Sequence, residues 1–289
     1  MSVIDADAVR PVAPVARGRG RRRGAVRRPA VVAALAVLSV LAVAAAMPGA
    51  FGLPDPNAVQ LGAAFGEPSW AHPFGTDRLG RDVLSRVVHG ARTSLLIGLG
   101  ATAIALAGGA LVGVLAGFGH RAVDGVLMRV VDVLASVPEL LLALVTIVVL
   151  GTGATNVAAA VGIASVPSFA RLVRAQVLVV RRAEFVDAAR TLGRRPAWTA
   201  LRHVLPNAVG PVLALAAITA GSAVVAGAGL SYLGFGPGPP SPEWGSMLVD
   251  GQRFLGQAPW TVAFPGLAIV AVVVSAGVLG RALRRGTAA

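Results

Sequence analysis

The chain contains no cysteine and no lysine, a single tyrosine, and 13 acidic residues among 289. Without cysteine there are no disulfides, thiolate metal sites or cysteine nucleophiles. Without lysine there is no Walker-type nucleotide site, because GxxxxGK[ST] needs that side chain to reach the terminal phosphates. The glycine-rich stretches Gly151-Thr152-Gly153 and Gly227-Ala228-Gly229 therefore read as a turn and as a place of close helix packing. Four histidines, His72, His89, His120 and His203, are scattered, with no HExxH and no pair at helical spacing, and a GxSxG elbow is missing. The expectation is a chain with no catalytic set, no metal and no cofactor.

What the chain does have is apolar surface. Hydrophobic residues make up 55% and charged residues 13%, and the mean hydropathy is +0.75. That is too apolar for a domain facing water on all sides, so most of the chain has lipid as its solvent. The formal charge of +13 is carried entirely by 26 arginines. In a soluble protein it would suggest nucleic acid. Here Arg17, Arg19, Arg21, Arg22, Arg23, Arg27 and Arg28 directly precede an uncharged run from Pro29 to Pro54, with no aromatic residue among them. This reads as a cytoplasmic tail with anionic lipid as its counter-charge, and no nucleic acid partner is expected.

Crossing a hydrocarbon core of ~30 Å takes roughly 20 helical residues. The runs of that size are residues 30–47, 93–119, 126–150, 156–180, 208–235 and 260–279, giving an all-α polytopic membrane protein of about six spans. Ala44-Ala45-Ala46 has the look of a signal-peptidase site, but the long arginine-rich lead and the apolar residues beyond favour a retained anchor. The expected organisation is a disordered tail 1–29, an anchor 30–47, an extracytoplasmic segment 48–92, a five-helix core 93–280 with a cytoplasmic loop 181–207, and a tail 281–289. Both termini are placed in the cytoplasm. That threading leaves 21 of the 26 arginines inside or at inner helix ends, as the positive-inside rule requires.

Ionisable side chains inside spans are costly and point to function by default. Asp132, three residues after Arg129, is expected to pair with it, and Arg171 and Arg174 to snorkel to headgroups. Glu139 lies near mid-membrane about level with Pro167, one turn from Arg171, so a Glu139 to Arg171 pair between spans three and four is expected, bracing the pore wall or touching a passing peptide terminus. Outside, Asp77, Arg78, Arg81, Asp82 and Arg86 alternate in sign on what reads as a surface helix.

The loop 181–207 reads as two short amphipathic helices. Phe185, Ala188, Ala189 and Leu192 recur at helical spacing, Gly193 ends the first helix, and Pro196 opens the second. Trp198, Leu201 and Leu205 then face one way until Pro206 breaks the run. Such a surface, rimmed by Glu184, Asp187 and arginines, fits either a groove on a soluble partner or the inner leaflet.

Glu184, Ala188, Ala189, Gly193 and the closing Leu205-Pro206 resemble the EAA loop of binding-protein-dependent ABC importer permeases. Two further stretches, from His72-Pro73-Phe74-Gly75-Thr76-Asp77 through Arg92-Thr93-Ser94-Leu95 and from Pro239-Pro240-Ser241-Pro242-Glu243-Trp244 through Phe264-Pro265-Gly266, are similar to the C-type permease of dipeptide, oligopeptide and nickel importers. With Leu230-Ser231-Tyr232-Leu233-Gly234 the likeness runs from roughly residue 70 to 280. Pro196 and Trp198 depart from the usual second coupling helix, and the tail 281–289 lacks the common Asp-Pro-Arg ending.

The resemblance implies a permease of the inner (plasma) membrane that pairs with a homologous second permease, two ABC ATPase subunits beneath and an extracytoplasmic solute-binding protein. The loop from Glu184 to Pro206 would dock into the ATPase, and Asp77, Arg81 and Asp82 would touch the binding protein or the sister permease. Di- or oligopeptides are the implied cargo, with nickel chelates as the alternative. A self-contained secondary transporter should show polar residues in several spans and inverted repeats, and a lipid-embedded enzyme should show a nucleophile or metal cluster; neither pattern is present.

Overall fold

A computed structural model describes residues 28–286 apart from Gly193 and Arg195. The arginine-rich tail before Arg28, the glycine expected to end the first coupling helix, and the last three residues lie outside the described residues. Among the described residues ten α-helices follow one another: α1 (Arg28–Ala46), α2 (Val83–Phe118), α3 (Arg121–Ser136), α4 (Glu139–Leu150), α5 (Ala154–Val180), α6 (Glu184–Thr191), α7 (Pro196–Thr199), α8 (Leu205–Tyr232), α9 (Trp244–Gln252) and α10 (Trp260–Gly286). Among the described residues there is no strand, and the single extended pairing is an isolated bridge between Thr76 and Asp82. Five of these helices among the described residues are long and apolar enough to cross a membrane, and six spans result if α3 and α4 count together.

Two departures from the sequence expectation stand out. The second span begins not at Thr93 but at Val83, where the Asp82 carboxylate caps the helix by accepting from Ser85 N at 2.7 Å. The resulting 36-residue helix is about 54 Å long, well beyond the hydrocarbon thickness. The run 126–150, read as one span, is two helices bent by 94°. Pro138 explains the break. It has no N–H to donate, and it drives Val137 into an extended conformation with φ −88° and ψ 132°.

The bundle is held by close approach of small residues. Gly109 and Gly113 of α2 face α5, and a Cβ on Gly113 would sit 2.7 Å from the Ala170 carbonyl oxygen. Glycine there lets the backbones touch, which substitutes for the hydrophobic drive that lipid removes. Three layers of buried side chains stack along the bundle. Trp244, Met247, Val83 and Val87 fill one end, Ile97, Ile147, Val157 and Val161 the middle, and Phe169, Val173, Val177, Val186 and Val204 the other end.

Candidate functional site

The last layer joins the membrane helices to the segment the sequence singles out. After α5, Arg181 donates to the carbonyl of Gly117 at 2.9 Å, tying the turn to the end of α2, where a cation suits the helix dipole. The amphipathic arc of α6 is divided. Val186 and Ala189 turn into the inner core, whereas Phe185 is 47% and Leu192 81% exposed. Glu184 is also exposed; the side chains of Ala188 and Leu201 lie outside what the structure describes. Beyond α7, Trp198 is edge-on to His203 with ring centroids 5.0 Å apart, Phe185 approaches the same imidazole at 6.4 Å, and the Arg194 guanidinium lies 4.7 Å over the Trp198 ring. The result is an exposed aromatic and basic cluster mounted on a buried Val186–Val204 base.

Pro206 does not break the run, contrary to expectation. One π-helical turn spans Ala200–Val204, with Leu205 N–H donating to the carbonyl of Ala200, and the chain continues into α8 with Pro206 in its first turn. A proline ring inside an α-helix collides with the carbonyl four residues back. The widened turn makes the room, and α7, the π turn and α8 run on without a break.

The α3–α4 bend carries the charges. The expected Glu139 to Arg171 pair is not formed. Arg171 donates to Asp132 at 2.8 Å, and Glu139 accepts instead from the hydroxyl of Ser165. Once Pro138 turns α4 away, α3 lies alongside the later part of α5, so Asp132 meets Arg171 rather than its own-helix neighbour Arg129. For the same reason Arg174 does not snorkel; it grips Asp124 with two nitrogens, Nη2 at 2.6 Å. Sequence reasoning missed Ser165 and Asp124, since neither carries a signal without knowing the bend. Pro138 itself was the available clue.

At the opposite end, Asp77, Arg81 and Asp82 are not on a surface helix. Positive φ at Gly75 (70°) and Gly80 (71°) folds the stretch into a tight loop, and all three side chains are buried. One Asp77 oxygen accepts from Leu79 N and Arg81 N, and the other from Arg81 Nε at 2.6 Å with Arg86 Nε 3.8 Å away. Asp82 adds a 2.9 Å contact with His72 Nδ1 to its cap. These residues latch the loop together; of the alternating charges, Arg78 is the exposed one. A second knot, unread from sequence, lies beside it. Glu243 caps α9 through Gly245 N and Ser246 N, both at 2.8 Å, and Trp244 Nε1 donates to the carbonyl of Val87 at 2.9 Å. Burial pushes the Glu243 carboxyl above its ordinary value, against the pull of those two N–H groups.

Residues 109–288 match the family described as binding-protein-dependent transport system inner membrane component. The chain belongs to that family. It is 41% identical over 217 residues to a dipeptide transport system permease protein of Alkalihalophilus pseudofirmus, covering 75% of this chain and 71% of that one. It is 40% identical over 223 residues to a di/tripeptide transport system permease protein of Pseudomonas aeruginosa (75% and 74% covered) and 40% over 218 residues to a glutathione transport system permease protein of Pectobacterium atrosepticum (75% and 72%). Among solved structures, the inward-facing MetNI methionine ABC transporter superposes with a TM-score of 0.56 over 70% of this chain and 96% of that one at 19% identity, which is a likeness of fold. As an inner membrane component of a binding-protein-dependent transport system, the chain is a multi-pass membrane protein, and its bundle is the transport machinery's membrane part.

Proposed function

We propose that the chain is the C-type permease of an ATP-driven importer of short peptides, joined to a homologous second permease, two ATPase subunits and an extracytoplasmic solute-binding protein. It performs no covalent chemistry; ATP is hydrolysed on the partners. The α6 end with both termini is cytoplasmic and the α9 end faces outward. The observation that carries the reading is the Phe185, Leu192, Trp198 cluster, exposed to solvent yet seated on Val186 and Val204 in the core shared with α5 and α8. Exposed aromatic and aliphatic side chains at the end of a bundle suit a groove on a soluble subunit. The cargo class follows the relatives, whose names specify dipeptides, di/tripeptides and glutathione.

The two edges of the bundle support a paired permease. The α1 edge exposes Val32, Leu35, Val40 and Val43, a surface lipid accepts. The α3–α4 edge exposes a broken backbone at Val137-Pro138 together with Asp132, Glu139 and Arg171. Irregular backbone and charge are not tolerated against lipid and occur where protein or water covers them. That edge is therefore assigned to the second permease and the pathway between them.

The test is co-purification of the Phe185→Asp, Leu192→Asp double variant with its ATPase subunits. Both residues are exposed, so membrane insertion is expected to persist while ATPase association is lost. Unchanged association overturns the docking surface.

A further inference from the structure

Glu139 occupies an unusual position. It opens α4, whose 12 residues end at the turn following Leu150, placing the carboxylate about 18 Å below that turn and close to mid-membrane. The side chain is exposed on the α3–α4 edge. Its described partner is the neutral Ser165 hydroxyl, which brings no counter-charge. The charged groups on the elements packed around it are Arg171 and Arg174 from α5, and Arg121, Asp124, Arg129 and Asp132 from α3. Arg171 is held by Asp132 and Arg174 by Asp124, and Arg129 lies about two turns before the bend. The chain thus presents a carboxylate at membrane depth without a neutralising cation of its own among the described residues, on the edge assigned above to the second permease and the pathway.

We propose that Glu139 is a specificity-determining subsite that receives the α-ammonium of a peptide as it passes. The inference rests on the peptide-permease reading above. A cation that arrives and leaves with the substrate satisfies the carboxylate transiently, whereas a fixed partner would lock it. Val137, Leu140, Leu141 and Val145 around it are exposed and apolar, so the ammonium meets its counter-charge on an otherwise non-binding wall, where charge contacts are strong. Ser165 orients the carboxylate and is a positioning residue.

The experiment compares uptake of trialanine by liposomes holding the complete complex, wild type against Glu139→Gln, from pH 6.5 to 9.5 with the same binding protein, whose own selectivity cancels in the ratio. A peptide amine titrates near ~8, inside that window. The wild-type to variant uptake ratio is expected to be about tenfold at pH 6.5, the worth of one charge-assisted hydrogen bond, and to fall towards one at pH 9.5. A ratio that stays constant with pH assigns Glu139 to a permanent cation of the second permease or to bracing, and overturns the proposal, as does a ratio of one throughout. Glu139→Asp keeps the charge and is expected to retain the wild-type pH profile at reduced uptake. If the Gln variant fails to assemble, loss of that profile in the Asp variant overturns the proposal instead. Wild-type complexes that take up no trialanine sink the peptide-permease reading and this inference with it, whereas a flat ratio with active wild type sinks the inference alone.

Discussion

Asp77 neutralises Arg81 directly and approaches Arg86 while also receiving two backbone N–H groups, all within a loop shielded from solvent. Removing Asp77 takes from Arg81 its 2.6 Å partner and leaves it Asp250 at 3.6 Å, and takes from Arg86 the carboxylate 3.8 Å away, which costs more than the set itself contributes. Asp77→Ala is expected to destabilise the protein by about 3–5 kcal/mol, seen as a lower melting temperature in detergent followed by tryptophan fluorescence. Asp77→Asn, which keeps the acceptor oxygen, is expected to cost less. Equal melting of the Ala variant and wild type would mean that the latch contributes nothing. Alternating charges in sequence gave no warning of this burial. Their signs were readable, but the fold of the loop depends on two glycines with positive φ and on packing against α9.

At the scale of elements, the α2–α5 pair depends on α2 presenting no side chain at Gly109 and Gly113. Gly113→Leu would drive carbon atoms into the Ala170 carbonyl and the Val173 side chain, whose Cβ is also 2.7 Å from the added atom. Overpacking of this kind typically costs about 1–3 kcal/mol, and in a bundle built on small contacts the expected readout is loss of monodisperse protein on size exclusion. Gly125→Leu on α3, where nothing lies within 4 Å, is the control expected to behave as wild type in this isolated chain. Most helices were legible because uncharged runs of bilayer length leave one interpretation. Three features were not. The early start of α2 is set by the Asp82 cap rather than by hydrophobicity. The α3–α4 bend follows from one proline in a run whose composition still suits a single span. The π turn before Pro206 is a geometric accommodation with no composition of its own. The misread bend then propagated to the charges, since the pairing of Arg171 with Asp132 in place of Glu139 follows from where α3 comes to lie.

Across the whole molecule, the proposed docking cluster and the α3–α4 edge are far apart in sequence yet meet through one layer of side chains. Val186 on α6 and Val204 in the π turn are both fully buried and share a core with Phe169, Val173 and Val177 on α5. That same helix carries Ser165, Arg171 and Arg174, the partners of Glu139, Asp132 and Asp124. A push on α6 is therefore delivered to the helix that partners Glu139, Asp132 and Asp124 on the open edge, and packed cores transmit such displacements because they compress little. Val186→Ala removes two buried methyl groups at the joint while leaving Phe185 and Leu192 outside, so docking and linkage separate. The expected outcome in the reconstituted complex is normal ATPase association and continued ATP hydrolysis with fewer peptides imported per ATP. A truncation of this size costs about 1–2 kcal/mol of packing, enough to loosen the joint without unfolding the bundle. If import per ATP is unchanged, force does not pass through Val186, and the route must run through α7, the π turn and α8 alone; Val204→Ala in the same assay would then show the loss.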